Sequence, residues 1–96
     1  MRETTIENRL ARAVKRLGGE CKKLVWPGDD GAPDRMVLMP GSRIWFVELK
    51  AHGGVVSDLQ MLAHADLRKL GFNVRVIWTA AQVDRFIREE VADHEI

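Results

Sequence analysis

Ninety-six residues are enough for one domain, near the low end of what buries a core without disulfide or metal staples, and an apolar share of 46% beside 30% charged residues excludes a disordered chain. No apolar run reaches membrane-spanning length, Arg2 and Glu3 open into an amphipathic segment rather than a signal peptide, and the single cysteine, Cys21, excludes an internal disulfide and suits a reducing cytoplasm. The net charge of +1 hides an asymmetry, since residues 1–50 hold ten Lys/Arg against seven Asp/Glu and residues 51–96 hold five against seven.

Taken in chain order, residues 4–17 read as a helix with Ile6, Leu10, Ala13, Val14 and Leu17 on one stripe. Thr4-x-x-Glu7 has the form of a capping box, and Gly18-Gly19 ends the helix. A strand over 20–26 leads into the turn-rich loop Pro27-Gly-Asp-Asp-Gly-Ala-Pro33. A second strand (35–39) turns at Pro40-Gly-Ser42 into a third (43–50), which is the pattern of an antiparallel hairpin. A loop over 51–56 follows, with Gly53-Gly54. Ser57-x-x-Gln60 then caps a helix running to Leu70. A fourth strand covers 72–78, and Thr79 caps a last helix carrying Val83, Phe86 and Ile87. The third and fourth strands, joined through a helix, are expected to be parallel neighbours by a right-handed crossover. The expectation is an α/β domain of order αβββαβα, a mixed central sheet flanked by helices. The last stretch, 89–96, reads as an acidic tail with Glu89, Glu90, Asp93 and Glu95, which leaves the body near +5. Such a surplus suits a phosphate-facing surface, and equally a solvated one.

The third strand holds the anomaly. Ile44, Phe46, Glu48 and Lys50 share one face, and Trp45, Val47 and Leu49 the other. Both faces begin apolar, as in a central strand covered on both sides, yet one ends in a carboxylate and an ammonium. Taken alone, that pair reads as an ion pair at a strand end. Counting outward from the 40–42 turn brings Asp34 towards Glu48. Two carboxylates within about 4 Å repel by about 4 kcal/mol at an effective dielectric near 20, so a cation between them is expected. Hard oxygen ligands select Mg²⁺ or Mn²⁺.

Pro33-Asp34 with Glu48-Leu49-Lys50 resembles the PD-(D/E)xK motif of restriction-endonuclease-like nucleases. The fuller run, Gly31-Ala-Pro-Asp-Arg35, Glu48-Leu-Lys-Ala51, Gly53-Gly54 and Ser57-x-x-Gln60, resembles the VRR-NUC family of that superfamily, in its stand-alone phage and bacterial form. The resemblance spans about residues 5–78. It implies that Asp34 and Glu48 ligate the metal, helped by the Leu49 carbonyl, and that Lys50 attends the attacking water and the phosphate. Glu7 matches an acidic residue contributed by the superfamily's first helix, as ligand or as half of the capping box with Thr4. Glu20 is a further candidate ligand, or an ordinary strand end. Gln60 reaches towards the lysine or the scissile phosphate, or satisfies the Ser57 amide.

Lys22, Lys23 and Arg35 flank the site, and together with Ser57 they are assigned to nucleic acid, where phosphate contacts add affinity without sequence preference; solvation is the alternative. His52, His64 and His94 share no metal-ligand spacing, and Trp26, Trp45 and Trp78 read as core residues. The expected function is a metal-dependent, structure-selective DNA endonuclease in the cytoplasm of a bacterial or phage-infected cell. The resemblance implies a homodimer acting on branched DNA such as four-way junctions, and geometry agrees, because two-fold branched DNA needs two cuts and a two-fold dimer supplies two sites. A less selective nickase or end-processing nuclease, and a non-catalytic DNA-binding module, are the competing readings.

Overall fold

The sheet places the anomalous strand at its centre. The computed structural model describes residues 3–92, with side chains from Thr5. Its elements are α1 (Glu3–Arg16), β1 (Glu20–Lys23), β2 (Arg35–Met39), β3 (Arg43–Leu49), α2 (Asp58–Lys69), β4 (Asn73–Ile77) and α3 (Ala80–Phe86), which continues into a π-helical turn, Ile87–Val91. The four strands lie in the order β1-β2-β3-β4. The first two pairs are antiparallel, and β3 and β4 are parallel, connected through α2.

In α1 the residues four apart, Ile6, Leu10 and Val14, are fully buried. Leu17, expected on the same stripe, is 40% exposed because the chain has already left the helix. Gly18 takes φ +88° there, and bonds from Gly18 N to Lys15 O and from Gly19 N to Val14 O close a Schellman-type end. The capping box expected of Thr4 involves a side chain outside the described residues. α1 and α3 cover one face of the sheet, where Val37, Met39, Trp45, Val47, Leu49 and Ile77 meet Ile6, Leu10, Val14, Val83 and Phe86. Arg9 pairs with Asp84 across the two helices.

On the other face Phe46 lies between Trp26 and Phe72, with ring centroids 5.9 and 5.5 Å apart. α2 covers this face with a single buried residue, His64.

Two expectations need correction. β1 ends at Lys23 rather than 26, and the chain beyond it, including Trp26, is loop; Trp26 is held by an Nε1–H bond to Pro33 O. The acidic tail does not begin at 89. Val91 is fully buried, and Glu90 accepts from Arg75 and from Trp45 Nε1, so these residues belong to the fold. Asp93, His94 and Glu95 lie outside the described residues.

Cys21 packs against the core, and burial, followed by the charge of Asp34, pushes its thiol up to about 11 from 9.0. Alkylation needs the thiolate. At pH 8, iodoacetamide should therefore modify the folded chain about 100-fold more slowly than the urea-unfolded one, as read by mass spectrometry; equal rates would place the thiol in solvent.

Candidate active site

The register of the β2–β3 hairpin assembles the site. Arg35 pairs with Val47, so one further step along both strands puts Asp34 opposite Glu48. The Asp34 carboxylate continues the ladder beyond its last backbone rung by accepting from Leu49 N at 3.4 Å. Because N–H and C=O of a strand residue point the same way, the Leu49 carbonyl is directed to the Asp34 side as well. Lys50 N donates to Ile77 O at 2.9 Å, which carries the β3–β4 ladder through to Lys50.

The loop before Asp34 is fastened at several points. Leu24 N donates to Asp34 O, Pro33 is fully buried, and Asp29 accepts from Gly31 N. Gly31 is required by close approach, since a Cβ there would lie 2.3 Å from Leu59 O of α2. The motif glycine thus lets the Asp34 loop sit directly on the first turn of the helix that carries Gln60.

Glu48 is 6% exposed, a costly position for a carboxylate without polar company. Gln60 Nε2 donates to its Oε2 at 3.2 Å, Lys50 Nζ lies 4.0 Å from the same oxygen, and His64 Nε2 lies 3.9 Å from Oε1. Gln60 serves both readings at once. Its backbone N donates to Ser57 Oγ and its Oε1 accepts from Ser57 N, so the capping box is formed, while its amide NH₂ reaches Glu48. Ser57 Oγ, assigned from sequence to phosphate binding, is used as the helix N-cap acceptor. Burial, followed by the charges of Arg68 and Lys50, lowers the His64 pKa and favours its neutral form.

Arg35 corrects the reading of it as an exposed phosphate contact. It is 5% exposed and points to the α1 side, where it bonds to the Glu7 carboxylate; its Nη1 reaches Asp34 O at 2.9 Å and Asp34 Oδ2 at 3.4 Å. The first-helix acid is therefore linked to Asp34 through a buried guanidinium. Glu20 is not brought to the site. It stands opposite Leu38, three rungs from the Lys23–Arg35 pair, and it bonds Lys22 at 2.8 Å. That contact lowers the Glu20 pKa and raises that of Lys22, and both side chains are exposed. Lys23 is exposed at the site end of β1. His52 is exposed, and Trp78 Nε1 anchors the glycine loop by donating to Gly54 O at 2.7 Å.

Sequence reasoning passed over His64. The signal was present, because His64 follows Gln60 by four residues and so shares its helix face.

A four-stranded mixed sheet in this order, between helices and with an acid pair and a lysine at one end of its hairpin, has the architecture of the restriction-endonuclease-like nucleases. No family model matches the chain. It is 43% identical over 77 residues to "Putative nuclease p44" of Acyrthosiphon pisum secondary endosymbiont phage 1, an alignment covering 80% of this chain and 83% of that one. It is also similar to a solved structure described as "VRR_NUC domain", with a TM-score of 0.85 and 35% identity over 92% of this chain and 96% of that one. The chain belongs to the VRR-NUC family and is a nuclease.

Proposed function

We propose that the protein is a divalent-metal-dependent, structure-selective DNA endonuclease that acts as a homodimer on four-way junctions, in the cytoplasm of a bacterial or phage-infected cell. The observation that carries this reading is the placing of Asp34 against the Leu49 peptide, opposite Glu48, with Lys50 beside Glu48. The donor set fits Mg²⁺ or Mn²⁺. Among the described residues no group of three or more His, Cys, Asp or Glu side chains forms a full metal cage. Mg²⁺ is commonly held by only one or two carboxylates and completes its shell with water and substrate phosphate. Asp34, Glu48 and the Leu49 carbonyl are the groups that would hold it, while the Glu7 carboxylate is engaged by Arg35. Such an ion supplies Lewis-acid polarisation of the phosphate and a more acidic bound water.

The chain's own residues supply the remaining functions. Lys50 presents an ammonium where it neutralises phosphate charge and orients the attacking water. Gln60 fixes one oxygen of Glu48, and Arg35 fixes Asp34 from behind. Exposed Lys22 and Lys23 are proposed to hold the nucleic-acid backbone. A second copy has an apolar surface to bury, since Leu59, Leu62 and Leu70 lie on one side of α2 and are 62%, 64% and 74% exposed.

The test is purified protein with Mn²⁺ and an end-labelled four-way junction. Symmetric paired nicks, abolished by EDTA, are expected. Equal cutting of linear duplex would overturn junction selectivity and favour a general nickase, and cutting that persists in EDTA would overturn metal dependence.

A further inference from the structure

We infer that His64 is a positioning residue that, together with Gln60, grips the Glu48 carboxylate from α2, with His64 Nε2 on Oε1 and Gln60 Nε2 on Oε2. The inference rests on the metal-dependent reading above and extends it to a residue outside the motif.

α2 leaves Leu59, Met61, Leu62 and Leu70 largely exposed, yet the one side chain it buries is an imidazole, 2% exposed. A leucine would fill that space with no polar atom to satisfy. Instead, Nε2 is buried and makes no hydrogen bond, which is a rare condition in folded proteins and one that asks for an explanation. Its position supplies one. Nε2 lies 3.9 Å from Glu48 Oε1, about 1 Å beyond hydrogen-bond length, and a single turn of helix separates it from Gln60, whose amide already bonds Oε2 at 3.2 Å. Two donors four residues apart on a rigid helix thus face the two oxygens of one carboxylate. As the Nε2–H tautomer, His64 donates to Oε1 after a small rotation of the Glu48 carboxylate, and contacts of this kind commonly close only when the site is loaded. A carboxylate gripped at both oxygens keeps one orientation towards a cation. Partners behind a ligand are worth about 10–100-fold in metal affinity.

The experiment compares His64→Leu and His64→Gln with the unchanged chain by titrating Mn²⁺ in a calorimeter, with urea unfolding measured in parallel. His64→Leu fills the volume without a donor, and it should unfold at an equal or higher urea midpoint while binding Mn²⁺ about 10–100-fold more weakly. His64→Gln keeps an N–H donor at similar reach, and it should hold Mn²⁺ within about threefold of the unchanged chain. Full Mn²⁺ affinity in His64→Leu, or equal weakening in both variants, overturns the positioning role while the metal-dependent reading stands. An unchanged chain that binds no Mn²⁺ overturns that reading, and the His64 inference with it.

Discussion

Replacing Lys50 with alanine is expected to leave a folded chain that still binds DNA but cleaves it about 10²–10⁴-fold more slowly, the range lost with a positioned proton-transfer group. Two features keep the change local. Lys50 is tied to β4 by its backbone N–H to Ile77 O at 2.9 Å, a bond that alanine preserves. Its side chain contributes an ammonium 4.0 Å from Glu48 Oε2, and Lys50 is not one of the buried core residues. Lys50 places a cation beside the Glu48 carboxylate, and in the proposed reaction it meets the phosphate there. Single-turnover cleavage at saturating Mn²⁺, with binding followed by fluorescence anisotropy, separates chemistry from affinity. Unchanged cutting removes Lys50 from the mechanism, and a parallel loss of binding would make it a phosphate contact only. Lys50→Arg should not restore the rate, because a planar guanidinium cannot reproduce a compact ammonium poised beside one carboxylate oxygen.

What the sequence made legible was local. The tight turn at 40–42 determines which hairpin residues face each other, and that alone brings Asp34 towards Glu48. Ser57 with Gln60 forms the expected capping box, and Thr79 caps the last helix as expected, because cap partners lie within one turn of chain. The parallel pairing of β3 and β4 followed from the helix between them. Other features depended on tertiary neighbours. Arg35 looks like a surface cation in the string, yet it is buried and bonds Glu7 of α1, 28 positions away. Glu20 looks like a candidate ligand until the register sets it three rungs from the Lys23–Arg35 pair, beside Lys22. Glu90 reads as part of an acidic tail, yet Arg75 and Trp45 draw it into the fold. The spacing that ties His64 to Gln60 is masked for a different reason: a polar residue in an apolar-rich helix looks solvent-facing, whereas here α2 turns Leu59 and Leu62 outward.

The Arg35 clamp yields the largest expected effect on stability. Arg35→Met should cost about 3 kcal/mol of unfolding free energy, towards the lower end of the 3–5 kcal/mol seen when one partner of a buried ion pair is removed. The lower end applies because the side chains of Glu7 and Asp34 are 28% and 31% exposed, whereas that of Arg35 is only 6% exposed. Methionine keeps most of the packing volume, so the loss reports the guanidinium rather than a cavity. Adding Glu7→Gln removes the carboxylate stranded by the first change, and the double variant should recover at least about 1 kcal/mol, since a neutral amide is cheaper to leave half-buried than a charge. Urea unfolding with a common m-value measures both steps. A single variant within about 0.5 kcal/mol of the unchanged chain would mean that the guanidinium is effectively solvated, and the link from α1 to Asp34 would fall. If the link holds, the arginine that follows Asp34 in the motif has a physical reason to be there. Asp34 stands one step before the first paired residue of β2, and the bond from Arg35 Nη1 to the Asp34 carbonyl, anchored in turn on α1 through Glu7, joins the Leu24 bond in keeping that step from opening away from Leu49.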